Sequence, residues 1–78
     1  MPRYFFDIDD GVRDVRDDEG VTFNDEESAR KEAIVTLAEL AKDMLLDGND
    51  HVFKAQVRDE TDKLVYQAAL TLKSGWVP

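Results

Sequence analysis

The sequence predicts an α+β domain of order β-β-α-β-β, a four-stranded antiparallel sheet with one long helix packed on one face. Three observations carry this. Residues 24–47 hold the only long helical periodicity in the chain, and stretches of two-residue alternation lie on both sides of it. Asp10-Gly11 and Asp59–Asp62 supply a turn within each flanking pair. At 78 residues the chain makes one domain, 1–78, with a thin core.

The first strand, about 3–9, reads RYFFDID. Tyr4, Phe6 and Ile8 alternate onto one face; Arg3, Phe5, Asp7 and Asp9 take the other. Aromatic side chains on both faces predict a central strand. Asp10-Gly11 predicts a type I′ turn, whose two central residues both need φ > 0. In the return strand, about 12–16, Val12 and Val15 lie three apart and cannot both face a core without a bulge. Flanked by Arg13, Asp14 and Arg16, this segment reads as a charged edge that resists sheet-to-sheet aggregation. Asp17-Asp18-Glu19-Gly20 reads as a loop, and Val21-Thr22-Phe23 as the lead into the helix.

The helix, about 25–47, places Ala29, Ala33, Leu37, Ala41 and Leu45 at i, i+4 spacing, with Ile34, Leu40 and Met44 widening the stripe. Asn24 or Asp25 serves as N-cap; Asn24 with Glu27 has capping-box spacing, and Phe23 staples the start if Asn24 is the cap. Glu26–Arg30 and Glu27–Lys31 form i, i+4 pairs worth about 0.2–0.5 kcal/mol each. Gly48 sits where a left-handed terminating glycine belongs.

Beyond Gly48 the period returns to two. Strand 51–58 puts Phe53, Ala55 and Val57 inward; strand 63–73 puts Leu64, Tyr66, Ala68, Leu70 and Leu72 inward and Val65, Gln67, Ala69, Thr71 and Lys73 outward. Asp62 is a candidate left-handed turn residue. Residues 74–78 form a tail bearing Trp76. Strand order 2-1-3-4 keeps every neighbour antiparallel and is preferred; 2-1-4-3, with a parallel central pair, is the alternative. A helix of some 22 residues spans roughly 33 Å, against roughly 23 Å for strands of about seven residues. It is therefore expected to outrun the sheet.

Composition narrows the function classes. Without cysteine there is neither a disulfide framework nor a thiolate metal site. The opening Met-Pro-Arg-Tyr-Phe-Phe lacks the apolar run of a signal peptide, and no stretch reaches the roughly 18 apolar residues of a membrane span. The expected location is the cytoplasm. A net charge of −8 disfavours binding to nucleic acid and suits a basic protein partner.

No catalytic constellation emerges. Asp7, Asp9, Asp10 and Gly11 resemble a calcium loop superficially, but counting from Asp7 puts Gly11 fifth and Val12 sixth, so the register fails. Asp17, Asp18 and Glu19 offer at most a weak divalent-ion site. His51 is the single histidine and has no nucleophile or acid at a meaningful spacing, so it reads as structural. No phosphate loop, dinucleotide fingerprint or nucleophile elbow is present, and no cofactor is expected.

The interface candidates are apolar. Phe5, Val52, Val65 and Ala69 are expected on the sheet face opposite the helix. Met44, Leu45 and Leu46 lie at the overhanging helix end, to be sheltered by the Trp76 tail, the fourth strand's extension or a second subunit, and the edge strands offer sheet extension across a two-fold axis.

PRYFFDIDDG, RDDEG, ESARKEA and VRDETDKLVYQAALTL together carry a resemblance over nearly the whole chain. It resembles a family of short bacterial, mostly proteobacterial, proteins known as a domain of unknown function. The departures are Asn24, where the family pattern implies proline, Asp62 in place of a turn glycine, and Asp14 where an apolar residue is usual. The resemblance implies a stand-alone domain and brings no activity. The expectation is thus a small acidic, non-catalytic interaction module, a homodimer. The alternative is a regulatory or antitoxin-like protein binding a basic protein or nucleic acid, and the third reading is a weak metal or small-molecule binder.

Overall fold

The computed structural model describes residues 2–78. In chain order it contains β1 (Arg3–Asp9), β2 (Asp14–Val15), β3 (Val21–Thr22), α1 (Glu26–Met44), a 3₁₀ turn (Leu45–Asp47), β4 (His51–Arg58) and β5 (Leu64–Leu72). The class is α+β, with one helix against an antiparallel sheet. That sheet has five strands rather than four, on the path β2-β1-β4-β5 with β3 also paired to β1. Val21–Thr22, expected as a lead into the helix, pairs instead with Tyr4 and Arg3.

β1 is internal, as its two-sided aromatic pattern predicted, but its outer neighbour is a broken strand. β2 pairs with Ile8 and Asp9, and β3 with Arg3 and Tyr4. Between them the register slips by two residues, the extra chain forming the Arg16–Gly20 loop. The return strand is therefore much shorter than 12–16, and Val12 and Val15 both face solvent. The type I′ turn does not form. Gly11 has φ +89°, whereas Asp10 is not among the residues with positive φ. Asp10 instead turns its nearly buried carboxylate onto the amides of Val12 and Arg13, at 2.9 and 2.7 Å, widening the turn to four residues.

The helix starts at Asp25, whose carboxylate accepts from the Ser28 amide at 2.8 Å. With Asp25 and not Asn24 as cap, Phe23 stands one residue too early to staple the first turn. It packs edge-on against Phe6 instead, at 5.9 Å between ring centres, and covers the flank of β1. The first-turn ion pair is Glu27–Arg30 at i, i+3, not the two i, i+4 pairs expected. Ala29, Ala33, Leu37 and Ala41 form the buried stripe. It widens toward Leu40 and Met44, while Ile34 stays exposed. Three alanines among the four let the helix lie close to the sheet, leaving the space to Tyr4, Phe53, Ala55 and Val57.

The helix does not overrun the sheet. Its α-helical part has 19 residues, about 28 Å, and β5 has nine, about 30 Å. The last turn tightens into the 3₁₀ segment and stops at Gly48, φ +81°.

Asp62 takes the left-handed conformation, φ +66°. Beside that turn Val57 pairs with Tyr66 but Arg58 pairs with Leu64, so Val65 is an extra residue in β5. This bulge reverses the expected faces of two residues. Leu64 falls opposite Arg58 and is exposed, while Val65 packs against the core. The radius of gyration is 14.1 Å, against about 11.5 Å for a compact chain of this length, and the longest dimension is 53 Å.

Candidate interaction surfaces

The most heavily bonded group on the outer sheet face is Arg58. It lies opposite Phe5 across β1 and β4, with its guanidinium 5.1 Å from the ring centre. Nε and Nη2 donate to the two Asp7 carboxylate oxygens at 2.7 and 3.0 Å. Nη2 also donates to the Asp17 carbonyl at 2.7 Å, and Nη1 to Asp62 at 2.8 Å. One side chain thus ties β1, β4, the Arg16–Gly20 loop and the Asp59–Asp62 turn together. Arg58 holds the Asp7 carboxyl below the usual carboxylate range by that hydrogen bond, against the opposing push of burial.

Asp17 completes this cluster. Its carboxylate accepts from the amides of Phe6, Glu19 and Gly20, each at 3.1 Å, and so satisfies donors that the broken strand leaves unpaired. Burial pushes its pKa up, but the three N–H donors outweigh that and the net shift is downward. These bonds occupy the Asp17 oxygens that the weak divalent-ion site would need. Among the described residues no group of three or more His, Cys, Asp or Glu is arranged to hold a metal. Gly20, φ +73°, sits so close that a Cβ would lie 2.9 Å from the Tyr4 carbonyl, Phe5 Cε1 and Arg3 Cγ.

His51 is held locally. Its Nε2 lies 2.8 Å from Asp47 and its ring stacks on Phe53 at 5.5 Å. A cavity of about 140 Å³ lies near the helix start, lined by Tyr4, Val57, Val65 and Tyr66 with Glu26, Glu27, Ala29 and Arg30. Burial first, then Glu26 and Asp25, push the Tyr4 phenol up, so it stays protonated at neutral pH. Arg30 is engaged by Glu27 and Tyr66. The space is small and of mixed polar and apolar lining, with its one cation already paired to Glu27.

The residues proposed for the outer face do not form one patch. Phe5 is half-buried under Arg58, and Val65 belongs to the helix side. Val52 and Ala69 remain exposed as diagonal neighbours, six residues of strand, or about 20 Å, from Phe5's partner Arg58. At the helix end Met44 and Leu45 are half-buried against the core, whereas Leu46 is 89% exposed. Trp76 is fully exposed and, with Gly48, Ser74 and Gly75, borders an open groove. β5, sequence LVYQAALTL, has a partner strand on one side.

In class this is a one-helix α+β domain whose clustered polar groups fasten the sheet. The chain belongs to the family described as Domain of unknown function (DUF6894), whose model matches residues 3–71. Comparison with curated proteins and with solved structures gave no match. No helix among the described residues is long and apolar enough to cross a membrane.

Proposed function

We propose that this protein is a small acidic interaction module of the cytoplasm, without catalytic activity, that acts as a homodimer. The observation that supports the reading is the row of exposed apolar side chains on the last strand and its continuation, whereas Val12 and Val15 at the other margin stand among charged residues. Leu64, Leu70, Trp76 and Val77 all lie there, and Leu46 stands two residues from the groove that Trp76 borders. Exposed apolar surface of this kind marks a protein contact. Light scattering across a hundredfold concentration range tests it. The expected mass is that of two chains, with dissociation on dilution; a single-chain mass throughout overturns the homodimer.

A second reading is favoured by Asp7, Asp9 and Asp14, which border one depression with Lys54 and Gln56. Asp9 and Asp14 sit directly opposite each other, an arrangement of like charges that a basic partner would relieve. A lysine-rich peptide is expected to bind in low salt and to lose affinity in Asp9→Asn/Asp14→Asn. Equal binding to both proteins would dismiss that surface.

A further inference from the structure

We infer that two copies of this chain join along β5, antiparallel about a two-fold axis near Ala68, into one continuous sheet. This rests on the homodimer reading and names its seam. The two sides of the sheet are built differently. On the β1 side the outer strand is broken into two short pieces, interrupted by a loop rich in acids and tied down by Arg58. Interruption and charge are how natural sheets protect an edge. The β5 side has neither device along its middle: Leu64–Leu72 is the longest run without a charged residue in the sequence, in a chain of net charge −8. Two copies repel each other over most of their surface, and this is the stretch where they do not.

The pairing also answers specific features of the free chain. About Ala68, Tyr66 of one copy falls opposite Leu70 of the other, and Gln67 opposite Ala69. Leu70 is on the helix side, opposite the fully buried Phe53, yet it is 39% exposed; an aromatic neighbour across the seam covers it. Lys73, with no ion pair among the described residues, falls opposite Lys63 of the other copy, and the neighbouring carboxylates of Asp59, Glu60 and Asp62 offset that like-charge pair. The helix lies over β4 and β5. It lies mainly over β4, so with strands about 4.8 Å apart the helices of two copies stand about 14 Å apart across the seam, and the strand pairing itself carries the contact. Ile34 lies one turn beyond Arg30, which shares a cavity with Tyr66, and is 42% exposed toward that gap.

Charge placed on Gln67 and Ala69, both exposed, reads the seam directly. Gln67→Glu/Ala69→Glu puts like charges opposite each other at two symmetric positions, as does Gln67→Lys/Ala69→Lys. Each is expected to raise the dimer Kd about tenfold or more, and mixing the two is expected to restore a dimer of one copy of each. A Glu/Glu variant that dimerises as the wild type does, or a mixture that stays monomeric, overturns the β5 seam while leaving self-association standing. A wild-type chain that is monomeric throughout overturns both. Hydrogen exchange on the wild type needs no variant to fold: protection at Tyr66–Leu70 is expected to rise with concentration through the dimer transition. Protection there that is independent of concentration overturns the seam.

Discussion

Arg58 grips Asp7 with two hydrogen bonds, Nε to Oδ2 at 2.7 Å and Nη2 to Oδ1 at 3.0 Å, across 51 residues of sequence. Both side chains are 12% exposed. Arg58→Ala leaves Asp7 facing an absent partner and frees the loop carbonyl of Asp17. The expected cost is about 2–3 kcal/mol, below that of a fully interior pair because the cluster borders water. Arg58→Lys is expected to recover less than half, since an ammonium cannot make the forked contact. Thermal melting of the three proteins measures this. A lysine variant as stable as the wild type would show that charge alone matters here.

Gly20→Ala tests the close approach at the broken strand. The added methyl meets a backbone carbonyl as well as two side chains, and the backbone must hold a positive φ. Destabilisation of at least about 2 kcal/mol is expected, with faster hydrogen exchange at the Phe6 amide bonded to Asp17. Chemical denaturation and exchange read the two effects separately. An unchanged midpoint would mean that the loop can retreat from β1 at no cost.

Acid should weaken the fold. The Asp7 carboxyl is held below its ordinary range by the Arg58 hydrogen bond, and Asp17 is lowered because backbone N–H donors outweigh burial. A carboxyl with a folded pKa below its unfolded value of about 3.9 contributes stability that is fully present above that value. It is lost as pH falls through the folded pKa, so the decline is expected below about pH 4. Melting temperatures from pH 7 to pH 2 should drop over that range, and Asp17→Asn should melt lower at pH 7 with a shallower acid limb. A wild-type curve flat to pH 2.5 would contradict the assigned role of these bonds.

Phe53 is fully buried in a core otherwise built largely of alanines. Phe53→Ala removes its largest fully buried side chain and should cost about 3–5 kcal/mol. That is comparable to the whole stability of a domain near the low end of about 5 kcal/mol. The expected circular dichroism spectrum at 25 °C is that of a largely unfolded chain. A cooperative melt within a few degrees of the wild type would mean that the helix and sheet collapse onto the vacancy.

The parts of the fold legible in the sequence were those set by local chemistry. The alanine stripe, the acidic first turn, Gly48 and Asp62 act within a few residues of themselves, and each is where its pattern put it. The features that escaped are set by partners far along the chain. Arg58 carries no local signal because its partners, Asp7 and the Asp17 carbonyl, lie 51 and 41 residues away. Val65 read as outward because a bulge of one residue shifts Leu64 and Val65 out of the alternation that holds from Tyr66 onward, without changing composition. The pairing of Val21 and Thr22 is too short for any period to reveal. One signal was present: Asp17 followed three residues later by Gly20 is the spacing of a side chain bonding back to the amides ahead of it. The candidate interface residues were chosen for hydrophobicity, and the fold dispersed them: Phe5 went under a cation, Val65 went inward, and Leu46 and Trp76 stayed outside.

The broken outer strand beside β1 also limits how large any assembly can become. A sheet with two long, uncharged margins could add copies indefinitely and grow into a fibre. Here one margin is fragmentary and staked down by Asp17 and Arg58. A two-fold contact made by a strand with its own counterpart uses that strand up in both copies. What lies at the two far ends of such a pair is the fragmentary margin twice over, so growth stops at two. In the proposed β5 dimer the acidic loop acts as a terminator, away from the seam.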